Sequence, residues 1–458
     1  MRRSLFFLIV ILLIISCKKE KSDNDNIIPP PPDDTTSFVL PEPEDIVMYE
    51  INLRAFSNTG DFQGIINRLD EIKALGINVI WLMPVHPIGE INSVNSPYSV
   101  KNYKEVNPEF GSLSDFKTLV EEAHERNIAV IMDWVANHTA WDHPWIENTE
   151  WYTKDNQGNI THPPGTNWLD VADLNYLNWD MRLAMIDALK YWVNATDVDG
   201  YRCDAADMVP NDFWKQAIDS VNKTTEKELI WLAEGVNTGL PAAGFQIIFS
   251  WQFYSQLKSV IRDGNSATSL VSVHYMETNP LADGKYRLRF STNHDESAWD
   301  ATPMTIFGGK EGALAASVAT ICLGGIPMIY SSQEVGTVQN VPFFSNQPIN
   351  WTQNPDMLQA YKDIIAFHNE SEAIRKGDMV SYSTTDVLAF TRKYELNEVF
   401  VIDNLRDQAL TYDLPDEYEN LYWKDAFSGS LMTLEGAIEL EAYEYIVLMK
   451  VIEDNNLN

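Results

Sequence analysis

Three carboxylates in this chain close short apolar runs, each in company that a folded core does not need. Val198-Asp-Gly-Tyr-Arg202-Cys-Asp204 reads as a buried strand that ends in charge. Arg and Asp are almost never fully buried unless paired. At positions i and i+2 of a strand they project from one face. Arg202 and Asp204 therefore share a face at a strand's C-terminal end. Leu229-Ile-Trp-Leu-Ala-Glu234 ends in a carboxylate too, and another run ends Ser-Thr-Asn293-His294-Asp295. A further run ends Asp133-Trp-Val-Ala-Asn137-His138, and Pro97-Tyr98 follows yet another. Alone, an Arg–Asp pair is equally well read as a structural contact, and a lone His or Asp as a local hydrogen bond or cap. Repeated on successive strands, the pattern points to one cavity mouth where acids, imidazoles and a guanidinium converge.

The elements that must position these groups follow from periodicity. Strands are predicted at Ile46–Leu53, Asn78–Val85, Ile128–Val135, Val198–Asp204, Leu229–Glu234, Phe245–Phe249, Tyr286–Asn293 and Ile326–Tyr330. Helical patterns separate them: Phe62–Leu75 with Ile65, Leu69 and Ile72 on one face, a helix capped by Ser114 and running to Arg126, then Met181–Val193, Trp214–Val221, Gly312–Leu323 and Met357–His368. Eight strands alternating with helices predict an α/β fold of the (β/α)8 TIM-barrel kind, in which chemistry sits at the strands' C-terminal ends. The Phe245–Phe249 unit carries the weakest pattern. Residues 138–178 are rich in Trp and Pro but show no clear period, and connections of that length are usually functional. They read as a small excursion domain over the barrel mouth. From residue 376 the rhythm becomes one of short strands (Val380–Phe390, Glu398–Ile402, Leu421–Trp423, Tyr443–Val451), which predicts a C-terminal antiparallel β-sandwich over 376–458. The catalytic barrel is then 44–375.

Composition bounds the rest. The 458 residues carry 33 basic against 66 acidic side chains, a formal charge of −33. That excludes nucleic acid as a partner, because phosphate binding needs clustered Lys and Arg. A neutral substrate is indifferent to it. Cys203 and Cys322 lie in apolar runs as buried thiols, so no disulfide framework is expected. Cys17 differs. Met1-Arg-Arg precedes an apolar run from Leu5 to Ile15, short for a bilayer span and of signal-peptide length. Ile14-Ile15-Ser16-Cys17 then resembles a bacterial lipobox. The resemblance implies a signal peptide at 1–16, lipidation of Cys17 and a membrane-anchored protein in the cell envelope. Residues 17–43, charged and then proline-rich, read as a disordered tether. The charged run after Cys17 is similar to export signals on surface lipoproteins of the Bacteroidetes type.

The strand-end motifs resemble the α-amylase family of glycoside hydrolases (family 13). Asp133-Trp-Val-Ala-Asn-His138, Gly200-Tyr-Arg-Cys-Asp204, Glu234 and Phe290-Ser-Thr-Asn-His-Asp295 stand in its four signature regions. Ala172-Asp-Leu-Asn175 is similar to its fifth. The likeness covers residue 45 to the C-terminus, with order and spacing in agreement. It implies retaining cleavage of α-1,4-glucosidic bonds in starch-derived glucans or maltooligosaccharides, with Asp204 as nucleophile, Glu234 as acid and base, and Asp295 on the sugar's 2- and 3-hydroxyls. Arg202 would orient Asp204, His138 and His294 would donate to the same sugar ring, and Tyr98 would stack beneath it. No cofactor is implied for the chemistry. A structural calcium ion is, with ligands from Asn137 and Asp173, although Asn137 is read equally well as a brace for its own loop.

Three positions depart from the family, one of them Asn102, where it often has Asp. Asp207 and Met208 stand where many α-amylases have Lys-His, on the leaving-group side. That leaves open a glucanotransferase or isomerising enzyme, in which a sugar intercepts the intermediate. A non-catalytic glycan-binding lipoprotein is the remaining alternative, and it has no need of the three acids together.

Overall fold

The computed structural model describes residues 38–451. The calls for a signal peptide, for lipidation at Cys17 and for most of the tether lie outside them. Eight parallel strands close a barrel: β1 (Met48–Ile51), β2 (Val79–Leu82), β3 (Ala129–Val135), β6 (Gly200–Asp204), β7 (Ile230–Ala233), β8 (Ile247–Phe249), β9 (Tyr286–Arg289) and β10 (Ile326–Tyr330). The interior is filled by alternate residues, among them Met48, Val79, Trp81, Ile131, Leu232, Phe249 and Met328. The intervening residues, such as Tyr49, Ile80, Val130, Tyr201 and Trp231, face the surrounding helices. On three of these strands the inward series runs from apolar to charged as it reaches the C-terminal end (Met48 then Glu50, Ile131 then Asp133, Leu232 then Glu234), and on β6 Gly200 is followed by Arg202 and Asp204. Gly200 opens β6 because nothing larger fits. Its φ is +150°, and a Cβ there would lie 2.0 Å from the Ile230 carbonyl oxygen.

Between β3 and β6 lies the excursion. It holds an antiparallel pair, β4 (His138–Ala140) with β5 (Val171–Asp173), that its sequence gave no period to find. The Tyr103 hydroxyl ties its base to the barrel by donating to the carbonyls of Val135 (2.8 Å) and His138 (2.9 Å). The remaining strands form the C-terminal domain: β11 (Asp378–Ser381), β12 (Val387–Tyr394), β13 (Asn397–Asn404), β14 (Leu410–Asp413), β15 (Tyr422–Asp425), β16 (Leu431–Thr433), β17 (Ala437–Leu440) and β18 (Tyr445–Lys450). Six make one antiparallel sheet, and β14 with β17 makes a ribbon over it. One face of the sheet (Ala389, Phe400, Ile402, Leu448) packs against Tyr412 and Leu440 of the ribbon. The other (Leu388, Phe390, Val399, Val401, Val447) joins the core around the barrel.

Several boundaries differ from the sequence reading. The first strand stops at Ile51, because Leu53–Phe56 turns into a short helix under Asn52. Ser112, not Ser114, caps Leu113–Glu125: its hydroxyl accepts from the Asp115 amide while the Asp115 carboxylate accepts from the Ser112 amide. The seventh strand ends at Arg289, and Asn293 is instead the cap of the helix His294–Trp299. Val380–Phe390 is two strands, broken at Tyr382–Asp386, where Thr384 and Ser383 hydroxyls accept backbone amides.

Candidate active site

Pairing in register sets β3 Asp133 directly beside β6 Arg202. Both side chains are fully buried, facing inward. Arg202 Nη1 donates to both oxygens of Asp133 (2.8 and 2.9 Å) and to Asp204 Oδ1 (2.9 Å). Its Nη2 lies 2.8 Å from Glu234 Oε2, an ion-pair distance without hydrogen-bond alignment. The guanidinium plane sits 4.8 Å from the Trp81 ring, which walls it from water. One cation thus holds Asp204 and Glu234 from adjacent strands. A second donor, the Ala205 amide, reaches Glu234 Oε2 at 2.8 Å, from a residue held at φ +41°.

The opposite wall is built around His294. Its Nδ1 meets the buried Glu50 carboxylate, its Nε2 lies 2.8 Å from the Tyr98 hydroxyl, and Asp295 Oδ2 is 3.4 Å from that same nitrogen. Tyr98 in turn donates to Asp133 Oδ2 at 3.0 Å. The chain of contacts therefore runs Glu50, His294, Tyr98, Asp133, Arg202, Asp204. Burial opposes a charge on His294, but Asp295 and Glu50 outweigh it and push the imidazole up to about 9. Burial raises Asp204 to about 6 against the pull of Arg202, with Asp133 and Asp295 adding to the rise. Glu234 is raised too, first by burial, then by Asp204 and Asp295. His138 is lowered to about 4 by burial and stays neutral.

Asp204, Glu234, Asp295, Tyr98, His138 and His294 line one cavity of about 930 Å³ at the barrel mouth. Arg202 lies beneath it. All seven residues singled out in the sequence for catalysis or substrate binding are thus brought together. Tyr98 and His294 also contact one another. The Tyr98 ring stacks on His294 (centroids 5.3 Å apart), and its hydroxyl and the His294 Nε2 are engaged with each other. The sequence reading passed over Glu50 and gave Asp133 no role. Asp133 had a signal, since it stands two residues before Val135 on an inward position; Glu50 had none, its partner being far along the chain. Asp207, noted only as a departure, accepts the amides of Val236 (2.7 Å) and Asn237 (2.9 Å) and so shapes the loop that follows Glu234.

The two side chains implied for calcium, Asn137 and Asp173, lie at the base of the excursion. β4–β5 pairing places Asp173 opposite His138, and the Leu174 amide donates to the Asn137 carbonyl. The Asn137 side-chain amide lies 3.3 Å from His138 Nδ1, so it braces the histidine. Among the described residues no group of three or more His, Cys, Asp or Glu side chains is placed to hold a metal ion.

Comparison with known proteins agrees with this geometry. Residues 20–164 match the family model for the α-amylase catalytic domain, and residues 378–447 that for the maltogenic amylase C-terminal domain. The chain is 28% identical over 399 residues to α-amylase MalA of Haloarcula japonica, covering 81% of this chain and 57% of that protein. It is 24% identical over 460 residues to α-amylase 3 of Dictyoglomus thermophilum, covering 84% and 90%. Among solved structures, the noncanonic maltogenic α-amylase AmyB of Thermotoga neapolitana superposes with a TM-score of 0.80 at 26% identity, over 89% of this chain and 99% of that one. Fold, site and likeness point the same way: the chain is similar to enzymes of the α-amylase type. Its C-terminal sheet is similar to that of maltogenic amylases.

Proposed function

We propose that this enzyme hydrolyses α-1,4-glucosidic bonds in maltooligosaccharides and starch-derived glucans, with retention of configuration. The observation that carries the reading is the single buried guanidinium holding Asp204 and Glu234 side by side. Retaining enzymes need their two carboxyls close, at about 5–5.5 Å, so that one attacks the anomeric carbon directly. Arg202 fixes Asp204 Oδ1 and leaves Oδ2 for that attack. Glu234 Oε2 is held by the Ala205 amide and Arg202, so Oε1 is the oxygen that protonates the leaving group. Its pKa, raised by burial and by Asp204 and Asp295, favours the protonated form that this step needs. After departure the same carboxylate takes a proton from water, which attacks the glycosyl-Asp204 ester and frees the sugar. Asp295, on the far wall, faces the hydroxyls of the distorted ring.

Relatives named as α-amylases and cyclomaltodextrinases support hydrolysis. One relative is a cyclomaltodextrin glucanotransferase, and Asp207 alters the acceptor side, which keeps transfer as the second reading. The Cys17 motif supports a lipid-anchored enzyme of the cell envelope. The test is maltohexaose incubated with the protein and with Asp204→Asn. Shorter products of α configuration, absent from the variant, support retaining hydrolysis. Products longer than the substrate would establish transfer, and β-configured products would overturn retention.

A further inference from the structure

The helix His294–Trp299 begins with the catalytic wall and ends with the most exposed tryptophan among the described residues, Trp299, at 66%. Leaving an indole in water forgoes the stabilisation that burial gives, so its exposure asks for a reason. Trp299 stands four residues after Asp295, and residues i and i+4 lie on one helical face. Both line the cavity. The intervening Glu296 anchors the helix's other side: it accepts from the Tyr254 hydroxyl (2.7 Å) and from Lys258 Nζ (2.9 Å). The Asn340 side chain donates to the Ala298 carbonyl (3.1 Å) at its far end. The helix is therefore clamped with Asp295 and Trp299 turned to the same space.

Trp299 also has built company. Phe343 and Phe344 meet its ring edge-to-face at 5.9 and 5.5 Å. Phe343 continues inward to His294 (5.4 Å) and Tyr98 (6.1 Å). Buried Arg54 fixes this corner, donating to the Phe343 carbonyl (3.0 Å) and the Asn95 carbonyl (2.8 Å) while gripping Glu109 with two bonds. Asn95 in turn donates to the Phe344 carbonyl at 2.6 Å. An aromatic wall thus runs without a break from Tyr98 and His294 to the cavity rim. Glu234 and its loop contribute no ring to this wall, which continues from the side of His294 and Tyr98.

We infer that Trp299, backed by Phe343 and Phe344, is a stacking platform for a further glucose unit on the non-leaving side of the scissile bond. It sets a preference for longer maltooligosaccharides. A glucopyranose presents an apolar C–H face that an indole covers, and the fixed aromatic corner holds the indole ready without reordering. The inference rests on the α-glucan reading above. The test uses Asp204→Asn protein, where binding is measured without turnover, and compares calorimetric Kd for maltohexaose and maltose with and without Trp299→Ala. Removing one aromatic anchor should weaken maltohexaose about tenfold, and maltose by much less. Trp299→Phe should restore most of the difference. Tyr422→Ala, which removes an exposed aromatic of the C-terminal sheet, should change nothing. Equal Kd for maltohexaose with Trp or Ala at 299 would overturn the platform while leaving the α-glucan reading intact. No maltohexaose binding by Asp204→Asn itself would instead overturn both.

Discussion

Arg202 touches Asp133, Asp204 and Glu234 at once, so no one of these carboxylates titrates alone. The energetic direction is nevertheless set by burial, which raises Asp204 to about 6. In the unfolded chain that carboxyl has its ordinary value near about 4. Below about pH 4 it is protonated in both states and costs nothing. Between pH 4 and 6 the unfolded chain releases the proton while the folded chain keeps it, so stability falls as pH rises. Above about pH 6 the penalty is full and constant. Asp204→Asn removes it. We expect the variant to melt above the native protein at pH 7, with the excess fading by pH 4. A variant that melts lower at pH 7 would show that Arg202 favours the charge more than burial opposes it.

At the scale of elements, the strand ends were legible because alternation is a local property. Arg202 and Asp204 share a face in any strand, and Glu234 closes a run whose inward residues are apolar. What joins the strands was not local. Asp133 reaches Arg202 only through the β3–β6 register, and Glu50 meets His294 only once β1 closes the barrel. The β4–β5 pair escaped because three-residue strands leave no period. Trp299, by contrast, was within reach: its spacing from Asp295 is helical, but Tyr286–Asn293 read as one long strand hid the helix that follows. The register itself depends on close approach at Gly200. Gly200→Ala places a Cβ 2.0 Å from the Ile230 carbonyl, at a φ that alanine avoids. The expected cost is about 2–4 kcal/mol, read as a lower urea midpoint with unchanged m. A variant as stable as the native chain would mean that β6 and β7 can part without penalty.

For the molecule as a whole, the C-terminal sheet is bound to the barrel by more than proximity. Leu388, Phe390 and Val401 are counted within the barrel's own surrounding core. Arg392, nearly buried, donates to the carbonyls of Leu323, Ala373 and Ile374, and Arg406 to those of Val260 and Asn265. Each guanidinium spans the two parts, and separating them would strand it among unmatched carbonyls. Melting is therefore expected to be concerted: a single calorimetric endotherm, with no plateau in which the barrel outlives the sheet. Two resolved transitions would refute this. A concerted melt also bears on how the active site is inherited. A change in the sheet that costs a given free energy of unfolding lowers the population of folded barrels by the same factor as an equally costly change within the barrel, so the C-terminal domain guards the site without touching it.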